Sequence, residues 1–82
     1  MDNINKPIQS VTIKSTQDLG SFVRTFRVAQ KMTQADISGL ANTGNRFIVE
    51  LENGKPTVQL QKVLDVLDTL GLEMVIQRKG RY

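Results

Sequence analysis

Residues 33–54 read TQADISGLANTGNRFIVELENG and carry the signals for two short helices joined by a tight turn. Thr33 and Asp36 have the spacing of a capping box, in which the hydroxyl and the carboxylate each accept a hydrogen bond from the other residue's backbone N–H. The first helix is therefore predicted to begin at Gln34. It should end near Ala41, where the turn begins.

Residues 42–44 read Asn-Thr-Gly, and Asn and Gly tolerate the left-handed backbone that a tight corner requires. The second helix should begin around Asn45 and end at residues 53–56 (NGKP). One face of this helix is apolar at Phe47, Ile48 and Leu51. A two-turn helix is unstable alone, so a scaffold must support it. We interpret the stretch as a helix-turn-helix whose second helix is presented to a partner.

The 82 residues are enough for one domain with a small core, a size at which oligomerisation commonly adds stability. We therefore expect a dimer. The 11 basic and 8 acidic side chains give a net charge of +3, which suits a nucleic-acid partner without demanding one.

The sequence contains no cysteine and no histidine. This excludes the usual zinc sites, histidine general bases and Ser/His or Cys/His nucleophile pairs within the chain. No apolar run approaches the roughly 18 residues of a membrane span, and no export signal is visible at the N-terminus. We expect a cytoplasmic protein that is not an enzyme and has no cofactor, no metal and no membrane partner.

The segments before the central motif are predicted to be an N-terminal arm, residues 1–14, followed by one domain, residues 15–82. Residues 10–14 alternate apolar and polar side chains, which is typical of a short strand. Ser15 and Asp18 repeat the capping spacing and start a helix that should extend from Thr16 to Lys31. Its apolar stripe comprises Leu19, Phe22, Val23 and Phe26.

Three basic residues, Arg24, Arg27 and Lys31, have the spacing of one side of this first helix. They could face phosphates or form an ordinary solvated surface. The sequence pattern alone leaves both interpretations open.

After the central motif, Thr57 can cap a fourth helix and Gly71 can end it. Its apolar positions are Leu60, Val63, Leu64, Leu67 and Leu70. Asp65 and Asp68 lie on its polar side, where a solvated face is a better explanation than a catalytic carboxylate pair.

Residues 72–77 alternate in polarity, which predicts a C-terminal strand. A lone strand has two unpaired edges, so we favour pairing with the same strand of a twofold-related copy. The alternative is pairing with residues 11–13 of the same chain, which would leave the fourth helix as the dimer surface.

Four segments spread over residues 18–77 resemble the Xre/Cro helix-turn-helix family of phage repressors, and most closely HipB-type antitoxins. They are DLGSFVRTFR, MTQADISGLA, RFIVELENGKPT and LQKVLDVLDTLGLEMVI. The resemblance implies an all-α, compact four-helix lambda-repressor-like domain. It also implies a C-terminal β-strand that joins a homodimer, and a palindromic double-stranded DNA operator as partner.

The resemblance implies DNA contacts at Gln34, Gly44, Asn45, Arg46, Phe47, Val49, Glu50, Asn53 and Lys55. Gln34 would meet a phosphate at a helix N-terminus. Asn45 and Arg46 would contact base edges, with arginine suited to guanine and asparagine to adenine. Val49 lies one turn further along the same side. Asn53 and Lys55 would lie in a loop beside the backbone.

Two of these positions have a second interpretation. Glu50 could accept a hydrogen bond from cytosine or pair with Arg46 across one helical turn, and we favour the pair. Phe47 could contact a thymine methyl group or cover the core, and we favour the core.

The family pattern also matches Arg27 and Glu52 to an internal salt bridge, whose loss should cost roughly 3–5 kcal/mol. The chain departs from the pattern at Asn42, where glycine is usual, and at Gly44, where Ser or Thr usually caps the helix. Gly39 within the second helix should cost about 1 kcal/mol in helix propensity.

The resemblance implies a sequence-specific DNA-binding repressor, and most specifically the antitoxin of a HipBA-like operon with a HipA-like kinase toxin as partner. Alternatives are a protein-interaction module that neutralises a toxin and binds DNA only secondarily, or a free-standing phage-type regulator.

Overall fold

A computed structural model describes residues 10–80 of the chain. Within this range the protein forms four α-helices: α1 (Thr16–Ala29), α2 (Gln34–Leu40), α3 (Asn45–Glu52) and α4 (Leu60–Thr69). The predicted all-α, four-helix architecture is therefore confirmed. Most of the predicted N-terminal arm lies outside the described residues. No helix in residues 10–80 is long and apolar enough to cross a membrane.

The N-terminal caps of the first two helices are formed as the sequence predicts. The Thr33 hydroxyl accepts from the Asp36 backbone N–H at 3.0 Å, and the Asp36 carboxylate accepts from the Thr33 N–H at 2.9 Å. At α1, the Ser15 hydroxyl accepts from the Asp18 N–H at 3.0 Å. The Asp18 carboxylate accepts from the Lys14 N–H, at 2.9 Å. In a capping box the donor would be the N–H of Ser15, one residue later.

Two predicted boundaries are wrong by a few residues. Helix α1 ends at Ala29, because Lys31 has a left-handed backbone with φ of 60°. Helix α4 begins at Leu60 and not after Thr57, which lies in a turn. The extended residues between that turn and α4 allow Val58 to pack against the core, a constraint that capping signals do not report.

The core forms where the four helices meet. Its buried side chains are Val23, Ile37, Ile48, Leu51, Val63, Val66 and Leu67. Val66 lies in the core, although the predicted stripe on α4 did not include it. Leu60 was predicted to belong to that stripe but is 60% exposed. The buried face of α4 is therefore centred on Val63, Val66 and Leu67, with Leu60 outside it.

Gly20 allows α1 and α3 to approach with their backbones in contact. A Cβ atom at this position would lie 2.8 Å from the Glu52 carbonyl oxygen and even closer to that of Leu51. Only glycine fits such an approach without a shift of one helix. The C-terminal end of α3 is thereby held against α1.

The two predicted strands are not formed within the described part of the single chain. Residues 10–14 and 72–77 are not paired in a sheet, so the alternative of intrachain pairing is not observed. A short strand is stable only when its backbone groups are paired with another strand. The residues predicted to form the C-terminal strand expose Met74, Val75 and Ile76.

Candidate nucleic-acid interface

Helix α3 buries one face and projects its N-terminal end from the domain. Ile48 and Leu51 are almost completely buried, whereas Asn45 and Arg46 are exposed. The corner before α3 depends on Asn42, whose φ of 55° is left-handed and is a conformation that asparagine tolerates. The predicted recognition helix is thus anchored through its apolar side, with both of its first two side chains outside the core.

Gly44 is the N-cap residue of α3 and has an extended backbone, with φ of −74°. It has no side chain that could accept from the first-turn N–H groups of α3. A substituent here would meet no atom within 4 Å, so the position lies open beside the helix N-terminus. Such an end carries partial positive charge and suits a phosphate.

Glu50 holds two basic side chains at once. The Arg46 Nε donates to Glu50 Oε2 at 3.2 Å, so the predicted intrahelical pair is formed. The Lys55 Nζ lies 3.3 Å from Glu50 Oε1, a contact that the sequence did not predict. The Lys55 ammonium group, followed by the Arg46 guanidinium, lowers the pKa of the Glu50 carboxyl below its usual value. The carboxyl is therefore charged at neutral pH.

Beneath the surface, Arg27 and Glu52 form the internal ion pair that the resemblance implied. The Arg27 Nε and Nη2 donate to the two Glu52 carboxylate oxygens at 2.6 and 3.0 Å. A third donor, Nη1, reaches the Met32 carbonyl oxygen at 2.6 Å. The hydrogen bond to Glu52 raises the pKa of Arg27, although burial opposes this shift. The pair ties α1 to α3.

Gln34 connects this buried pair to the surface. It is the first residue of α2 and is half-buried, and its Nε2 donates to Glu52 Oε1 at 3.1 Å. The amide predicted to meet a phosphate is therefore oriented by the ion pair beneath it. Asn53, the exposed C-cap residue of α3, lies along the same shallow groove.

The basic stripe predicted on α1 is divided between two environments. Arg27 is buried in the ion pair, whereas Arg24 is exposed and lines the same groove as Gln34 and Asn53. Lys31 is exposed beyond the end of α1. Arg24 therefore lies near the predicted DNA-contacting residues, and Arg27 is structural.

Phe47 is half-buried and packs against the core, which favours its interpretation as a cover for the core. Lys62 of α4 lies over its ring, with Nζ 5.7 Å from the ring centroid. Lys62 also lines one shallow groove together with Arg46 and Lys55. Val49 is half-buried on α3.

Sequence reasoning missed Lys62 because its position in α4 reports only that it is polar. Its proximity to α3 arises only from tertiary packing. The groove brings together basic groups beside a projecting helix end, an arrangement that can donate to base edges and neutralise phosphates.

Comparisons with known proteins show the family and the fold of the chain. The chain is 48% identical over 68 residues to an uncharacterized HTH-type transcriptional regulator, y4mF, from Sinorhizobium fredii, an alignment that covers 83% of this chain and 90% of that protein. No protein-family model matches.

Solved structures with the same fold include a HipB–O4 20mer complex and a HipA–HipB–O2–O3 complex. Each matches with a TM-score of 0.80 and 20% identity, and covers 87% of this chain and 100% of the matched chain. At that identity the match establishes the fold alone. The 48% identity to y4mF establishes the family as well as the fold: the chain belongs to the Xre-like family of helix-turn-helix transcriptional regulators, with the fold of HipB.

Proposed function

We propose that this transcriptional regulator is a repressor that binds a palindromic operator as a homodimer through α3. The observation that carries this proposal is the position of Asn45 and Arg46. They are exposed on a helix whose opposite side, at Ile48 and Leu51, is locked in the core. A short helix anchored in this way fits the major groove.

Each surface residue then has a distinct role. Arg46 donates to guanine and Asn45 to adenine, which provides sequence discrimination. Gln34, Asn53 and Lys55 contact the phosphate backbone on either side, and the missing side chain at Gly44 leaves the N-terminus of α3 accessible. These contacts position the helix without reading sequence.

The proposed homodimer is supported by the apolar surface that the single chain leaves uncovered. Leu60, Met74 and Val75 are 60%, 47% and 66% exposed, and Ile76 is 94% exposed. Residues 72–77 are also not paired in a sheet. Pairing of this segment with its twofold copy would form the predicted C-terminal strand and cover its apolar side chains. We assign residues 15–82 to this dimeric domain and residues 1–14 to an arm.

We further propose that the protein is an antitoxin, with a HipA-like kinase toxin as its second partner. The support is the fold shared with HipB, which occurs in a complex with HipA and DNA. Co-purification with the product of an adjacent gene would test this part separately from DNA binding.

The decisive experiment selects bound duplexes from a random pool at two salt concentrations and then measures variants on the selected operator. Arg46→Ala should lose about 1–3 kcal/mol of binding free energy at one base pair. Lys55→Ala should weaken binding to all sequences equally. It should also reduce the slope of log affinity against log salt concentration by about 1 per protomer. If no sequence were enriched, or if both variants bound like the parent, the assignment of α3 would be wrong.

A further inference from the structure

We propose that Glu50 determines the specificity of the operator-binding surface by positioning Arg46 for a base and by penalising contact with non-operator DNA. This inference rests on the proposed function and adds a role for an acidic residue within a surface that must approach phosphates. In this role Glu50 acts on the neighbouring basic side chains and does not itself contact a base.

The geometry around Arg46 carries the first half of the argument. Glu50 engages the Nε of Arg46, and the two terminal amino groups of the guanidinium have no other hydrogen-bond partner within residues 10–80. The Arg46 side chain is 89% exposed, whereas that of Glu50 is 28% exposed. The inner edge of the guanidinium thus donates to a partly buried carboxylate while its outer edge remains free. Guanine O6 and N7 require two parallel donors of this kind.

The second half of the argument concerns charge. The Glu50 carboxylate contacts Lys55 through its other oxygen, so one acidic group forms ion pairs with two basic groups. A phosphate that recruits Lys55 must displace this carboxylate or lie beside it. Non-operator DNA offers mainly phosphate contacts, so it meets this repulsion without a compensating base contact.

The difference between the two kinds of DNA follows from solvent exclusion. In water an exposed ion pair is weak and screened by salt, so Glu50 restrains Arg46 only loosely in the free protein. In a fitted major groove water is displaced and the same interaction becomes stronger. The restraint therefore acts mainly in the operator complex, where the guanidinium can keep Glu50 at one edge and guanine at the other.

The test compares Glu50→Gln with a charge-matched control, Asp68→Asn. Asp68 is exposed on α4 and forms no ion pair with the other residues that the structure describes. Both variants remove one negative charge, but only the first frees Arg46 and Lys55. Affinities for the selected operator and a scrambled duplex are measured at about 50 and 200 mM salt, with circular dichroism as the check of folding.

Relative to Asp68→Asn, Glu50→Gln should raise affinity for the scrambled duplex roughly three- to tenfold and steepen its salt slope by about 1 per protomer. The ratio of operator to scrambled affinity should fall roughly tenfold. Equal effects of the two variants would overturn the proposal while leaving operator binding by the parent intact. Failure of the parent to distinguish the two duplexes would instead refute the proposed function, and this inference with it.

A double variant tests whether Glu50 acts through Arg46. In an Arg46→Ala background, Glu50→Gln should still raise affinity for the scrambled duplex. It should lower the ratio of operator to scrambled affinity by much less than it does in the parent, because Arg46 is no longer there to be positioned. If Glu50→Gln reduced the preference by the same factor in both backgrounds, Glu50 would contact a base itself, and the positioning role would be refuted.

Discussion

Two glutamates lie two residues apart on α3, and each forms an ion pair with an arginine, yet their environments differ completely. The Glu52 side chain is 2% exposed and joins Arg27 and Gln34 beneath the surface. The Glu50 side chain is 28% exposed and joins Arg46 and Lys55 at the edge of α3. The same chemical pair therefore holds the scaffold together in one place and arranges the proposed DNA-contacting groups in the other.

The largest effect should come from breaking the buried pair. Glu52→Ala leaves the Arg27 charge buried without its partner and should lower the free energy of unfolding by roughly 3–5 kcal/mol. Urea denaturation followed by circular dichroism measures this loss. Glu50→Ala is the matched control on the same helix and should leave the urea midpoint close to that of the parent. Equal losses for the two alanine variants would contradict the distinction between the two glutamates.

The buried pair also depends on how closely α1 approaches α3, and the two glycines Gly20 and Gly39 test this. Gly20→Ala would force a Cβ against the carbonyl oxygens at the end of α3 and should destabilise the protein by about 1–3 kcal/mol. Gly39→Ala would meet no atom within 4 Å and should stabilise α2 by about 0.5–1 kcal/mol. Thermal unfolding of both variants measures these opposite shifts. A Gly20→Ala variant as stable as the parent, or more stable, would show that α1 and α3 approach less closely than described.

The smallest effect concerns the titration of the exposed glutamate. Lys55 and Arg46 lower the pKa of Glu50 in the folded protein. The stability from these two contacts is therefore fully present above the unfolded glutamate pKa of about 4.3, and it is lost as the pH falls through the lower folded pKa. Lys55→Ala should raise the Glu50 pKa, and by more than Arg46→Ala does, because Lys55 is the larger cause. An NMR titration of the Glu50 carboxyl measures both. An unchanged pKa in the Lys55 variant would show that the Lys55–Glu50 contact is not maintained in solution.

The parts of the fold that sequence predicted are those controlled by near neighbours. The capping box at Thr33 and Asp36, the left-handed corner at Asn42 and the buried face of α3 each depend on residues within one or two turns. The start of α4 was predicted at the wrong residue because packing of Val58 against the core competes with capping by Thr57.

The candidate site divides in the same way. The Arg46–Glu50 pair follows from a separation of four residues on a helix and was predicted. The Lys55 contact to Glu50 and the place of Lys62 beside Phe47 were not predicted, because each depends on a loop or helix folding back toward α3.

The sequence by itself determined where the helices of the central motif begin, which side of α3 is apolar and which two polar residues stand at its N-terminal end, because these depend on local hydrogen bonds and helical period. Only the tertiary structure decided that the Glu52 side chain is buried, as the family resemblance implied, while the Glu50 side chain stays partly exposed, and that Gly20 lies beneath the end of α3. The physical reason is that burial and close approach arise from contacts between residues far apart in the chain, and no local pattern records which surfaces will meet.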